Sequence, residues 1–181
     1  MRPLQVTSLA AALCAGSLWA QEAPPNAPKF VKSVQAPGGV DVRYLDFKWD
    51  PVAFAAIQTG GANPVARRSW VLARLLLQEV PFHWQGRTIP VGPSLLILNP
   101  AQGGAGPTLE LRQVDMRDIF VDMNVIAEPP PGDSYGKVPA VFSKTPDTAA
   151  RLEVSLTPRG NALDLKIHYG DRLATLTFTR D

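Results

Sequence analysis

Polar and apolar positions alternate with a period of two along the second half of the chain. Over residues 151–157, Leu152, Val154 and Leu156 share one face, with Glu153, Ser155 and Thr157 on the other. Leu163, Leu165, Ile167 and Tyr169 repeat the pattern against Asp164, Lys166 and His168; Ala174, Leu176 and Phe178 repeat it against Thr175, Thr177 and Thr179. Successive side chains of a β-strand point to opposite faces, so this alternation predicts strands with one buried and one wet side. Residues 108–114 read the same way, with Leu109 and Leu111 facing in and Glu110 and Arg112 facing out. Residues 158–162 and the pair Gly170-Asp171 are predicted to turn the chain between the last strands.

The first half is less regular. Residues 40–49, rich in β-branched and aromatic side chains, predict a strand, and residues 52–58 a helical turn closed by Gly60-Gly61. Residues 70–80 have helical composition, but Leu75-Leu76-Leu77 running into Val80-Pro81 fits a strand buried on both faces. A hairpin follows: Phe82-His83-Trp84, a Gln85-Gly86 turn, then Thr88-Ile89. A second turn at residues 90–93 leads into the apolar strand 94–98. The expected architecture is all-β: an antiparallel β-sandwich, Greek-key or jelly-roll-like, with a short helical turn or two. An outer-membrane barrel is the membrane rival, but it needs strands of about ten residues and aromatic girdles. Aromatics here are 8% and the strands nearer seven residues.

Composition adds boundaries. The 181 residues carry 18 prolines and 14 glycines, which punctuate helices more than short strands. Arg2, then a largely apolar stretch to Leu18-Trp19-Ala20, has the layout of a signal peptide over residues 1–20. Gln5, Thr7 and Ser8 and the short span argue against a retained membrane anchor. Residues 21–39, with Pro24, Pro25, Pro28, Pro37, Gly38 and Gly39, read as a leader that becomes ordered near Phe30. Both a tether and an added edge strand fit it, and one domain follows over residues 40–181. The expected address is therefore outside the cytoplasm, periplasmic or secreted, with no transmembrane segment in the mature chain.

Cleavage would remove Cys14, the single cysteine, and with it any thiol, disulfide or cysteine metal site. The formal charge of +2 gives no footprint for nucleic acid.

The stretch Phe82-His83-Trp84-Gln85-Gly86-Arg87-Thr88-Ile89-Pro90-Val91-Gly92, followed by an apolar strand, resembles a module of the bacterial family called domain of unknown function 2911. The ending Leu165-Lys166-Ile167-His168-Tyr169-Gly170-Asp171-Arg172-Leu173-Ala174-Thr175-Leu176 is similar to that family's closing pair of strands. The resemblance covers about the last 110 residues. It departs at Gly92-Pro93-Ser94, where the family has Gly-Thr-Tyr, and residues 115–138 have no counterpart. It implies an exported β-sandwich and transfers no site.

The most unusual chemistry lies in residues 115–135, where Asp115, Asp118, Asp122, Asn124, Glu128 and Asp133 concentrate oxygen ligands ahead of Tyr135. Hard divalent cations such as calcium want six to eight oxygens, which makes the first five a candidate metal set. The spacing of three and four is not that of an EF-hand. It would align the aspartates on one helical face, where they could equally pair with Arg112 and Arg117. His83 and His168 lack zinc-type spacing, and no G-x-S-x-G elbow is present. Among the aromatics Trp49, Trp70, Trp84, Tyr44 and Tyr135, a sugar- or peptide-binding face and a core role both stay open, with Trp84 and Tyr135 as candidate ligand contacts. The functional expectation is a non-catalytic binding or interaction module of the cell envelope, with an envelope protein or glycan as partner. The alternative is a carboxylate- or divalent-cation-dependent hydrolase seated in residues 115–135.

Overall fold

The computed structural model describes residues 30–61, 67–115, 125–126 and 131–181. In chain order they form β1 (Phe30–Ala36), β2 (Val40–Leu45), α1 (Pro51–Thr59), β3 (Ser69–Leu77), β4 (Phe82–Trp84) and β5 (Arg87–Ile89). There follow β6 (Gly92–Asn99), β7 (Thr108–Gln113), β8 (Val125–Ile126), β9 (Ser134–Pro139), β10 (Ser143–Arg159) and β11 (Ala162–Thr179). One antiparallel sheet runs β1-β2-β3-β6-β7-β9, with β8 also beside β3; the other runs β10-β11-β4-β5. Their inner faces share a core that includes Leu96, Leu111, Trp84, Leu165 and Ile167. This is the antiparallel sandwich that the alternating sequence requires.

Part of the leader belongs to the sheet. Proline is absent between Pro28 and Pro37, so every amide of β1 can join a ladder, and the strand pairs with β2 from Phe30↔Leu45 to Ala36↔Val40. The predicted strand 40–49 is divided between the two sheets. β2 stops at Leu45, and the chain then crosses to β10, where Leu152 N–H donates to Phe47 O (2.8 Å) and Trp49 N–H to Ala150 O (2.9 Å). β8 takes the vacated place beside β3, through Ser69↔Ile126 and Trp70↔Val125.

Asp50 then starts α1. Its Oδ1 accepts from Val52 N and Ala53 N (2.9 and 3.0 Å), and Pro51 fills the first helical position, where no N–H is needed. Phe54 and Ile57, three apart, are the side chains the helix buries. Gly60 ends it with φ +68°, and Ala101 N–H donates to the Ile57 carbonyl (3.0 Å).

β3 is buried on both faces, as its leucine run predicts. Leu72, Leu75 and Leu77 enter the main core, while Val71 joins Leu95, Ile97 and Val114 in a second cluster. This second cluster corrects the expectation for Glu110. Ile97 and Glu110 are cross-strand partners on that outer face, and Glu110 is 0% exposed. It points away from the main core, but its face is dry. The β4-β5 hairpin turns through Gln85 and Gly86, both at positive φ (54° and 72°), as a two-residue hairpin turn demands.

Gly170-Asp171 is not a turn. β11 runs unbroken through it, so the two predicted closing strands are one. The ladder with β10 jumps from Lys144↔Arg172 to Ala149↔Gly170, so residues 145–148 bulge opposite Asp171 alone. Gly170 sits at φ +62°, with the Trp49 indole in the space a Cβ would occupy. A hairpin turn and a bulge both select glycine at positive φ, which is why the sequence does not tell them apart.

Candidate ligand-binding cleft

Three irregularities meet: the crossing strand at Phe47–Trp49, the start of α1, and the bulges of β10 opposite β11. Between them opens a cleft of about 580 Å³ lined by Trp49, Pro51, Phe54, Gln58, Thr148, Asp171, Arg172 and their neighbours. Its floor is aromatic. Trp49 stands edge-on to Tyr169 (centroids 4.7 Å, 87°) and 5.4 Å from Phe54, inclined at 51°; Phe54 meets Phe142 edge-on at 5.1 Å and 89°. The Tyr169 phenol donates to Lys48 O (2.7 Å), and burial and the nearby Asp50 push its pKa up, against a smaller backbone hydrogen-bond effect there. It therefore stays neutral and fixes the crossing strand. Two of the exposed large apolar side chains, Val52 (72%) and Val141 (71%), adjoin cleft residues in sequence.

The rim is polar. The Gln58 amide nitrogen is buried and finds no acceptor among the described residues. Arg172 Nε faces Asp171 Oδ1 at 3.1 Å as an ion pair. Lys144 Nζ approaches Asp171 Oδ2 at 3.9 Å. A second open cleft of about 600 Å³, lined largely by residues 101–106 of the β6-β7 connection, shares Gln58 and Thr59 with the first. Among the described residues, Asp171 is the one carboxylate that lines the aromatic cleft.

The sequence candidates fall elsewhere. Asp115 is exposed just beyond the end of β7, while Asp118, Asp122, Asn124 and Glu128 lie outside the described residues. Among the described residues no group of three or more His, Cys, Asp or Glu side chains is placed to hold a metal ion. Trp84 and Tyr135 are corrected as ligand contacts. Trp84 is 2% exposed and packs on Phe178 at 6.2 Å, and Tyr135, 9% exposed, belongs to the same core. Both rings fill volume between the sheets, and neither lines the cleft. Of the aromatics weighed from sequence, Trp49 is the one that lines the cleft.

His83 bridges Thr88 Oγ1 (3.3 Å at Nδ1) and Asp181 Oδ1 (2.9 Å at Nε2), a hydroxyl–imidazole–carboxylate chain. Asp181 is 91% exposed, so water screens its effect on the ring, unlike the buried acid of a catalytic triad.

Phe54, Gln58, Phe142, Thr148 and Arg172 carried no sequence signal, because the cleft is assembled from stretches far apart in the chain. Comparison with known families, curated proteins and solved structures finds no match. The likeness to domain of unknown function 2911 therefore rests on the residues quoted for it. No helix among the described residues is long and apolar enough to cross a membrane.

Proposed function

We propose that this chain is an exported, non-catalytic binding module that holds its ligand in the cleft between α1 and the bulged β10–β11 ladder. One observation carries the reading: an open cleft of about 580 Å³ joins the aromatic side chains of Trp49, Phe54 and Phe142 to a polar edge of Gln58, Thr148, Asp171 and Arg172. The volume lies within the range of small-ligand pockets. Export is supported by the layout of residues 1–20, whose removal leaves a chain without thiols suited to an oxidising compartment.

A fragment screen by NMR on the full chain tests the seat. Aromatic and carbonyl-bearing fragments are expected to shift the Trp49 indole and the Gln58 and Arg172 amide signals. Fragments that gather elsewhere and leave these signals still would refute the assignment. Protein recovered from its producing cell should begin at Gln21 and titrate with no free thiol; an intact Met1 with Cys14 present would remove the export half of the reading.

A further inference from the structure

We infer that the occupant of this cleft is α1 of a second copy of the chain, so that the module pairs with itself about a two-fold axis. The inference rests on the binding-module reading above and names its partner. Charge is the first ground. Surface helices ordinarily turn charged side chains toward water. α1 carries none, and its outward positions Pro51, Val52, Ala55 and Thr59 are exposed. Two further stretches packed beside it are alike. Residues 99–108 reach it through Ala101 N–H on the Ile57 carbonyl (3.0 Å), and residues 139–142 through Phe142, edge-on to Phe54 at 5.1 Å. Ala140 N–H donates to Pro107 O (2.8 Å) and joins these two stretches to each other. Residues 51–61, 99–108 and 139–142 hold no Asp, Glu, Lys or Arg, where a chain with 19% charged residues would place about five. Depletion of charge marks the centre of a protein–protein contact.

Apolar exposure is the second ground. Of the large apolar side chains among the described residues, Val52 (72%) and Val141 (71%) are the most exposed. They adjoin Pro51 and Phe142, which line the cleft. Exposed apolar side chains gathered at one place mark an interaction surface, whereas scattered ones do not.

Shape is the third. Pro51, Ala55 and Gln58 wall the cleft, and Val52, about 100° further round the helix, stands on the crest beside it. A ridge next to a groove is self-complementary. A two-fold rotation lays each copy's ridge in the other's groove, uses every contact twice and closes the assembly at two. An uncharged face brings no like charges together in that pairing, and the rim charges of Lys144, Asp171 and Arg172 already face one another.

Sedimentation velocity of protein recovered from its producing cell tests the pairing over about 1–500 μM, the range suited to a small contact. The sedimentation coefficient is expected to climb with concentration to that of a dimer. Val52→Glu puts an acid in the first turn of α1, where the helix dipole favours it, so the monomer's urea midpoint is kept. The dimer's Kd should rise about tenfold or more, and Val141→Lys should act alike. Mixed in equal amounts, the two variants should pair again, because one copy's new carboxylate meets the other's new ammonium. Monomer at every concentration, with aromatic fragments still shifting the Trp49 indole, would overturn the self-pairing and leave the binding cleft standing. Monomer with silent fragments would overturn both. A dimer indifferent to both substitutions, or variants that dissociate and do not pair when mixed, would overturn the inference.

Discussion

Gly170 concentrates much of what makes the cleft. Its φ of +62° is a conformation that a side chain tolerates at a cost of roughly 1–2 kcal/mol, and the Trp49 ring occupies the place of its missing Cβ. Gly170→Ala is therefore expected to lose more than backbone strain alone, about 3 kcal/mol in all, because the indole must move off Tyr169 and Phe54 as well. Gly86→Ala is the control. Its φ is +72° with open space around it, so it should show the strain without the clash. Urea unfolding followed by tryptophan fluorescence separates the two: equal losses for both variants would mean that Trp49 does not depend on the glycine. None of this was legible at residue level. The sequence showed a glycine followed by an aspartate, and the use of that glycine depends on a tryptophan about 120 positions earlier.

α1 owes its existence to its ends more than to its middle. Nine residues are too few to be stable alone, and β-branched Val52 and Ile57 add little propensity. Asp50 and the burial of Phe54 and Ile57 hold it. Asp50→Ala removes the acceptor of two first-turn amides and should cost about 1 kcal/mol by urea denaturation. It should also weaken fragment binding in the cleft, since Pro51, Phe54 and Gln58 form one wall of it. A variant with full stability and full binding would show that the cap is idle.

At this scale the sequence was informative wherever one face of a strand is dry. Alternation revealed β7, the second half of β10 and the two ends of β11 on either side of Gly170-Asp171, and the leucine run revealed β3. The first half of β10 escaped notice because Ser143, Lys144, Pro146, Asp147 and Thr148 are exposed, so no period marks them. What holds that stretch is its partner β11, a long-range pairing that local pattern does not encode. The cleft is more hidden still, being made where the ladder is irregular.

The molecule as a whole has a second dry surface, the outer face of its larger sheet, and at its centre lies a fully buried carboxylate. Glu110 on β7 accepts from Asn99 Nδ2 of β6 (3.0 Å) and from Arg112 (2.8 Å), and pairs with Lys137 of β9 (3.2 Å). Burial by itself would raise its pKa. Hydrogen bonds from Asn99 and Ser134, the Arg112 charge and Lys137 together outweigh burial and hold it below the ordinary carboxylate range. A folded pKa below the unfolded one, roughly 4.3 for a free glutamate, means that the network stabilises the fold above that pH. The contribution is lost as pH falls through the depressed folded value. Asp164, held low by hydrogen bonds from Arg159 and Thr177 at the other sheet, acts in the same direction.

Stability measured by urea unfolding should thus be level between about pH 5 and 7 and fall steeply below pH 4. Glu110→Gln keeps the shape but removes the carboxylate charge that Arg112 and Lys137 face. Because both cations reach water, the cost at neutral pH should be about 3 kcal/mol, the lower end for breaking a buried pair. The variant's acid limb should be shallower, since one of the groups that must be protonated is gone. If parent and variant lose stability with the same slope below pH 4, the three-strand network does not govern acid unfolding, and the burden passes to Asp164 and its partners.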